Sequence, residues 1–366
     1  MKLFRKEEVN TGRQFEFDLA KAVCILGMVF VHCFEMLALD SISADSSAYY
    51  VMVIVLDAIF GAGTFMACMG LGIAYSWKNN ADKLIKRGIR IFLLGYLLNI
   101  LRDGIPYLIC YFFGKADVDE IIIETLCLDI MPFAGLALML FGLLKKLRLS
   151  DLWVFVIALV MSVVGSFVRF LDLGHYVVNE LAGLFIGTFD PINEDALAAF
   201  PLLNWFIIVV MGYLYAQLLR RCSNKEKFYA FTIPVTGVIL AVYMLIAIPN
   251  RSGMMCGDLM YYYHMTTLDA FILLSGAVFI TGVYYFVSKL FSERIKHVIT
   301  RMSVNINSVY CIHWVIIGWI NFVFMMTGFD GLDDLEVFLV GLAVFTAATV
   351  LAEGYKRIGK KEKSKV

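Results

Sequence analysis

The chain has 366 residues, of which 61% are hydrophobic and 17% charged, and its formal net charge is zero. No soluble domain has that balance, and apolar runs of 18 or more residues recur along the whole length, so the class is an all-α, polytopic membrane protein. Eight cysteines are scattered singly, without a CxxC pair or a histidine at metal-ligand spacing, so neither a structural metal nor a disulfide framework is expected. A Cys110–Cys256 disulfide is not expected either.

Ten spans are read in order, at about 17–39, 50–76, 86–113, 122–146, 152–171, 199–220, 228–248, 267–291, 303–327 and 333–355. They divide the chain into an N-terminal segment 1–16, a bundle 17–355 and a basic tail 356–366. The loops that would lie on one side, with both termini, hold 26 of the 31 lysines and arginines. The positive-inside rule puts that side in the cytoplasm, with both termini there and the span number even. The basic N-terminus is followed by a long span carrying charges and no small-residue cleavage site, so it is not read as a removable signal peptide. The longest external loop, 172–198, has an apolar patch at 181–189 too short to cross. It reads either as a re-entrant or interfacial helix lidding an external cavity or as a loop on the headgroups.

The first span, FDLAKAVCILGMVFVHCFEMLAL, carries Asp18, Lys21, His32 and Glu35 on one helical face. An ionisable group inside a span costs about 2.5–3.5 kcal/mol, so this face meets protein or a water-filled cavity. Lys21 and His32 are about 16 Å apart along the axis, marking two ends of one path. With the orientation above, His32, Glu35, Asp57, Asn99, Arg102, Asp103, Asp129 and Asp269 all fall in the outer half of the membrane.

His32 is the leading candidate base, since neutral imidazole takes a proton from a hydroxyl or amine near neutral pH. Asp57 or Glu35 would orient it. The bland alternative is a helix–helix hydrogen-bond partner. Arg87 and Arg90 form an R-x-x-R pair at the cytoplasmic mouth of the third span, suited to phosphate, although basic loop ends are common in any membrane protein. His313 is a second intramembrane histidine, placed either on a donor path or in packing. Asn305 and Asn307 are read as caps opening its span.

A basic residue, ten residues and a histidine on the first span resembles the acyltransferase-3 family, whose usual form is aspartate, two residues, arginine, ten residues, histidine. Here it reads Asp18, two residues, Lys21, ten residues, His32. The R-x-x-R at Arg87 and Arg90 matches that family as well. The stretches 56–70 and 200–215 are similar to the related bacterial heparan-α-glucosaminide N-acetyltransferase group.

The resemblance implies a cell-membrane acyltransferase that takes an acyl group, usually acetyl, from cytosolic acyl-CoA to an external sugar or glycan. It implies catalytic His32 with Asp57 as a polar partner, and donor contacts from Lys21, Arg87 and Arg90. Two departures stand out: Lys21 replaces an arginine, losing its planar fork, and the first external loop, 40–50, lacks the histidine of the lysosomal branch. Whether His32 acts as base or as nucleophile stays open. The expected partners are acyl-CoA (acetyl-CoA), the sugar acceptor and membrane lipid, without nucleic acid, and the sequence leaves a homo-oligomer open. The competing class is a transporter using the buried Lys, His, Asp and Glu as a proton relay; no inverted repeat supports it.

Overall fold

The computed structural model describes residues 3–39, 50–51, 61–76, 79–190, 195–196, 198–256 and 258–363. The fold is helical. In chain order the helices are α1 (Phe15–Leu37), α2 (Ala62–Tyr75), α3 (Ala81–Asn99), α4 (Ile105–Phe112), α5 (Val118–Leu126), α6 (Ile130–Lys146), α7 (Asp151–Phe167) and α8 (Tyr176–Gly183). They continue with α9 (Leu202–Arg221), α10 (Lys225–Ala247), α11 (Leu259–Tyr263), α12 (Thr267–Val287), α13 (Glu293–Thr327) and α14 (Asp334–Lys363). Among the described residues, six helices are long and apolar enough to cross a membrane: α1, α9, α10, α12, α13 and α14. Two more, α2 and α7, are apolar but shorter. The chain is a multi-pass membrane protein.

The bundle is built around α9, whose Trp205, Phe206 and Val210 are fully buried, and around α1, which packs on α13, α14, α12 and α2. Helix α2 lies against α9 through two glycines. A Cβ on Gly70 would sit 2.0 Å from the Val209 carbonyl, and one on Gly212 would sit 2.2 Å from that of Ala67. Only glycine permits that approach.

Three sequence-based expectations differ from the structure. The span read at 122–146 is broken. Helix α5 ends at Leu126, Leu128 pairs with Ala198 in an extended bridge, and α6 starts afresh at Ile130, whose amide donates to the Asp129 side chain at 2.6 Å. A polar cap and a backbone bridge outweigh apolar continuity there. Asn305 and Asn307 are not caps, because α13 begins twelve residues earlier behind Ser292, whose hydroxyl accepts from Ile295 N. Asn305 instead bonds Glu353 and Lys356 of α14. The segment 172–198 also differs: its helix is Tyr176–Gly183, while Thr188 bridges Leu171, and Phe189–Asp190 pairs with Asp195–Ala196. Its described residues form a folded cap, with the helix starting ahead of the apolar patch 181–189. His264, buried and pushed down to about 4 by burial, ties the cap down by donating from Nε2 to the Ala198 carbonyl at 2.9 Å.

All eight cysteines are free thiols, Cys110 and Cys256 included. The N-terminal segment is strapped along the end of α9, with the Arg5 and Val9 amides donating to the Arg221 and Arg220 carbonyls.

Candidate active site

The packing of α1 on α13 brings the two intramembrane histidines together. His32 Nδ1 lies 2.9 Å from His313 Nε2, and the rings are nearly coplanar, 9° apart. The protons can be assigned from the far end of this chain. The Val309 carbonyl, 3.1 Å from His313 Nδ1, can only accept, so Nδ1 of the neutral His313 carries the hydrogen. His313 Nε2 is then the acceptor, and His32 Nδ1–H donates to it. The lone pair of His32 is left on Nε2.

Behind the pair stands a buried polar network. The continuation of α3 is a single π turn, Ile100–Gly104, which buries both Arg102 and Asp103. Such turns concentrate at functional sites because they re-aim side chains within a helix. Arg102 pairs with Asp103 and, from Nη1, with Asp129 at 2.7 Å. Tyr310 donates its hydroxyl to the same Asp129 oxygen at 2.7 Å. The Arg102 guanidinium lies 4.1 Å from the Trp314 ring centroid, and that ring stacks on His32 at 4.1 Å. Helix α13 holds the π turn closely. The Trp319 indole donates to the freed Leu101 carbonyl at 3.1 Å, and a Cβ on Gly318 would meet the Arg102 carbonyl at 2.2 Å. The sequence marks Arg102, Asp103 and Asp129 as buried charges but gives them no role. The spacing of Tyr310, His313 and Trp314, which are neighbours on one helical face, was the signal that would have grouped them.

The other expected residues fall at two places. Glu35 is one turn beyond His32, and its carboxylate accepts from the Tyr263 hydroxyl at 3.5 Å, while Nδ1 of His32 is engaged by His313. Asp57 lies outside the described residues. Lys21, at the opposite end of α1, stands between two cavities. One, of about 390 Å³, is lined by Arg13, Asp18, Lys21, Tyr75 and Ser303. The other, of about 110 Å³, is lined by Lys21, Cys68, Arg87, Met131 and Asn307. Asp18 is buried and held in place, accepting from Arg13 Nη2 at 2.9 Å and from the Ser303 hydroxyl at 2.7 Å. Lys21 and Arg87 thus meet across one cavity, whereas Arg90 is exposed and does not line it. Among the described residues there is no group of three or more His, Cys, Asp or Glu arranged to hold a metal.

The family comparison bears on the choice between an acyltransferase and a transporter. The acyltransferase-3 family model, described as an acyltransferase domain, matches residues 14–353. The chain belongs to the acyltransferase-3 family. No curated relative and no solved structure matches it. For an acyltransferase-3 protein the geometry has a plain chemical sense: a basic imidazole nitrogen at one end of α1 and a cationic cavity at the other. The transporter reading is not favoured.

Proposed function

We propose that this protein is a ten-span acyltransferase of the cell membrane, with both termini cytoplasmic. It would move an acyl group, acetyl in the first instance, from cytosolic acyl-CoA to a hydroxyl or amine of an extracytoplasmic sugar. The observation that carries this reading is the histidine chain Val309–His313–His32, which leaves the lone pair of His32 Nε2 as a base.

The donor phosphates would sit at the cavities flanking Lys21, where Arg13 and Arg87 add positive charge. The pantetheine arm would run from there toward His32, about 16 Å along α1. As the acceptor oxygen or nitrogen attacks the thioester carbonyl, its proton passes to His32 Nε2. The carbon–sulfur bond breaks, and the CoA thiolate leaves and takes that proton to become the free thiol. The imidazolium that forms in between is stabilised by donating from Nδ1 to His313. The orienting role that the sequence gave to Asp57 or Glu35 passes, among the described residues, to His313. Arg102, with its two aspartates, holds Trp314 against the base. An acyl group trapped on His32 after quenching would move the mechanism to the covalent variant.

The test is turnover of acetyl-CoA by the purified full-length chain in detergent, with and without a panel of sugars. His32→Ala is expected to abolish turnover while acetyl-CoA still binds. Unchanged turnover in His32→Ala would overturn the reading.

A further inference from the structure

Close to the π turn, on the side of the external cap, lies a group of buried polar atoms that have no hydrogen-bond partner among the described residues. Glu180, on α8, is 1% exposed, and neither of its carboxyl oxygens makes a hydrogen bond. Asn99, at the end of α3, is also 1% exposed. Its Nδ2 donates to the Thr125 and Cys127 carbonyls at 3.3 and 2.8 Å, but its Oδ1 accepts nothing. The Thr125 hydroxyl is likewise buried and unpartnered.

These residues sit on adjoining elements. Helix α8 packs on α5, with the Tyr176 hydroxyl donating to Asp119 at 2.8 Å, and α5 packs on the π turn and α3. Cys127, whose carbonyl accepts from Asn99 Nδ2 at 2.8 Å, is two residues before Asp129, which holds Arg102 and Tyr310, and this joins the group to the histidine site. Buried polar atoms in native proteins are normally paired, because each unpaired one costs desolvation energy. Several together, beside a reaction centre, mark a place that something else completes.

We propose that Glu180, Asn99 and Thr125 form the acceptor subsite and that it takes an uncharged, hydroxyl-rich sugar. This deepens the acyltransferase reading and rests on it for the word acceptor. The chemistry of the set selects the ligand. Burial and the neighbouring Glu124 push the Glu180 carboxyl up to about 9, so at neutral pH it offers one donor and one acceptor. The Thr125 hydroxyl offers the same pair, and Asn99 Oδ1 adds an acceptor. A sugar hydroxyl, itself donor and acceptor, matches each of them. An anionic sugar does not fit, because Glu124, Asp103 and Asp129 outnumber Arg102 in this neighbourhood.

An unpartnered group has a stability signature opposite to that of a structural one. Removing it relieves a desolvation penalty in the free protein while removing a contact from the complex. The experiment therefore reads two quantities on the full-length protein in detergent: thermal midpoint, and calorimetric binding of N-acetylglucosamine, glucose, galactose and glucuronate. Wild type is expected to bind at least one of the three uncharged sugars and not glucuronate. Thr125→Val and Glu180→Met are expected to keep or raise the midpoint yet weaken sugar binding about fivefold or more, while Glu180→Gln, which mimics the neutral carboxyl, retains it.

Binding unchanged in Thr125→Val and Glu180→Met, lowered midpoints in both, or no uncharged sugar bound by wild type would each overturn the subsite. Turnover of acetyl-CoA dependent on His32, measured on the same preparations, separates the two claims. Turnover without sugar binding removes the subsite and leaves the acyltransferase. Sugar binding without turnover does the reverse.

Discussion

Replacing His313 by leucine tests the proton assignment at its centre. Leucine fills a similar volume at a fully buried position but offers no acceptor to His32 Nδ1. In the resting enzyme the lost bond is neutral. When His32 takes the acceptor proton it becomes a bond from an imidazolium, and bonds of that kind are worth about 1.5–3 kcal/mol. Because the interaction strengthens only as the proton moves, its loss falls on the transition state. At about 1.4 kcal/mol per tenfold in rate, kcat should fall about 10- to 150-fold. The KM for acetyl-CoA should stay within about twofold, since the donor cavities at Lys21 lie at the far end of α1. Steady-state kinetics on detergent-purified protein, with a thermal melt to confirm folding, provides the assay. A folded His313→Leu enzyme with kcat within about threefold of wild type would refute the relay. So would a loss confined to KM.

The buried charges make a second prediction. Arg102→Met strands Asp103 and Asp129 without their cation and should cost about 3–5 kcal/mol of stability; adding Asp103→Asn and Asp129→Asn should restore the thermal midpoint but not the turnover. Gly318→Val drives a side chain into the Arg102 carbonyl, so both the melting temperature and kcat should drop, by about 1–3 kcal/mol of overpacking in the former. At the donor end, Arg87→Ala should raise the KM for acetyl-CoA about tenfold, the worth of one charge-assisted contact of about 1.5 kcal/mol, whereas Arg90→Ala should leave it within about twofold. Titration of Glu180 gives the pH prediction. Its folded value, about 9, is raised above the ordinary 4.5, so the fold holds a proton that the unfolded chain has lost. Its contribution to stability is fully present below about 4.5 and is lost as pH rises toward 9, at up to about 1.4 kcal/mol per pH unit. Wild type should therefore lose more thermal stability than Glu180→Met between pH 6 and pH 9, and parallel curves would contradict it.

Much of the helical scaffold can be read from apolar run length, because a span must satisfy its own backbone and so must be a continuous helix. The departures come where side chains compete with that rule. Asp129 caps a new helix inside an apolar run, and the π turn at Ile100–Gly104 is supported by α13, whose Trp319 indole donates to its displaced Leu101 carbonyl. Neither is visible in hydropathy. The histidine on α1 stood out because an ionisable group in a span is costly. His313 stood out for the same reason, but its pairing with His32 did not, since no local pattern tells which face of α13 meets which face of α1. The same limit hid the role of Arg102, whose charge and neighbouring Asp103 were legible but whose Asp129 and Trp314 come from two other elements.

The two ends of α1 explain why so much charge is buried in one bundle. An ion trio such as Arg102, Asp103 and Asp129 is seldom more stable than well-packed apolar residues of the same volume, so stability alone gives no reason for it. Its place in the bundle gives one. Arg102 lies against the indole that covers His32, and the two carboxylates keep its charge from being ruinous to the fold, so the trio fixes the surface on which the base rests. Holding the imidazole in place and supplying Nδ1 with an acceptor when the proton arrives are separate tasks. They are met by different residues on different elements: Arg102 through Trp314 for the first, and His313 for the second. A double variant, Arg102→Met with His313→Leu, should consequently lose less than the product of the two single losses in kcat, because both act on the placement and hydrogen bonding of one imidazole. Losses that multiply would show that the arginine and the histidine serve His32 independently.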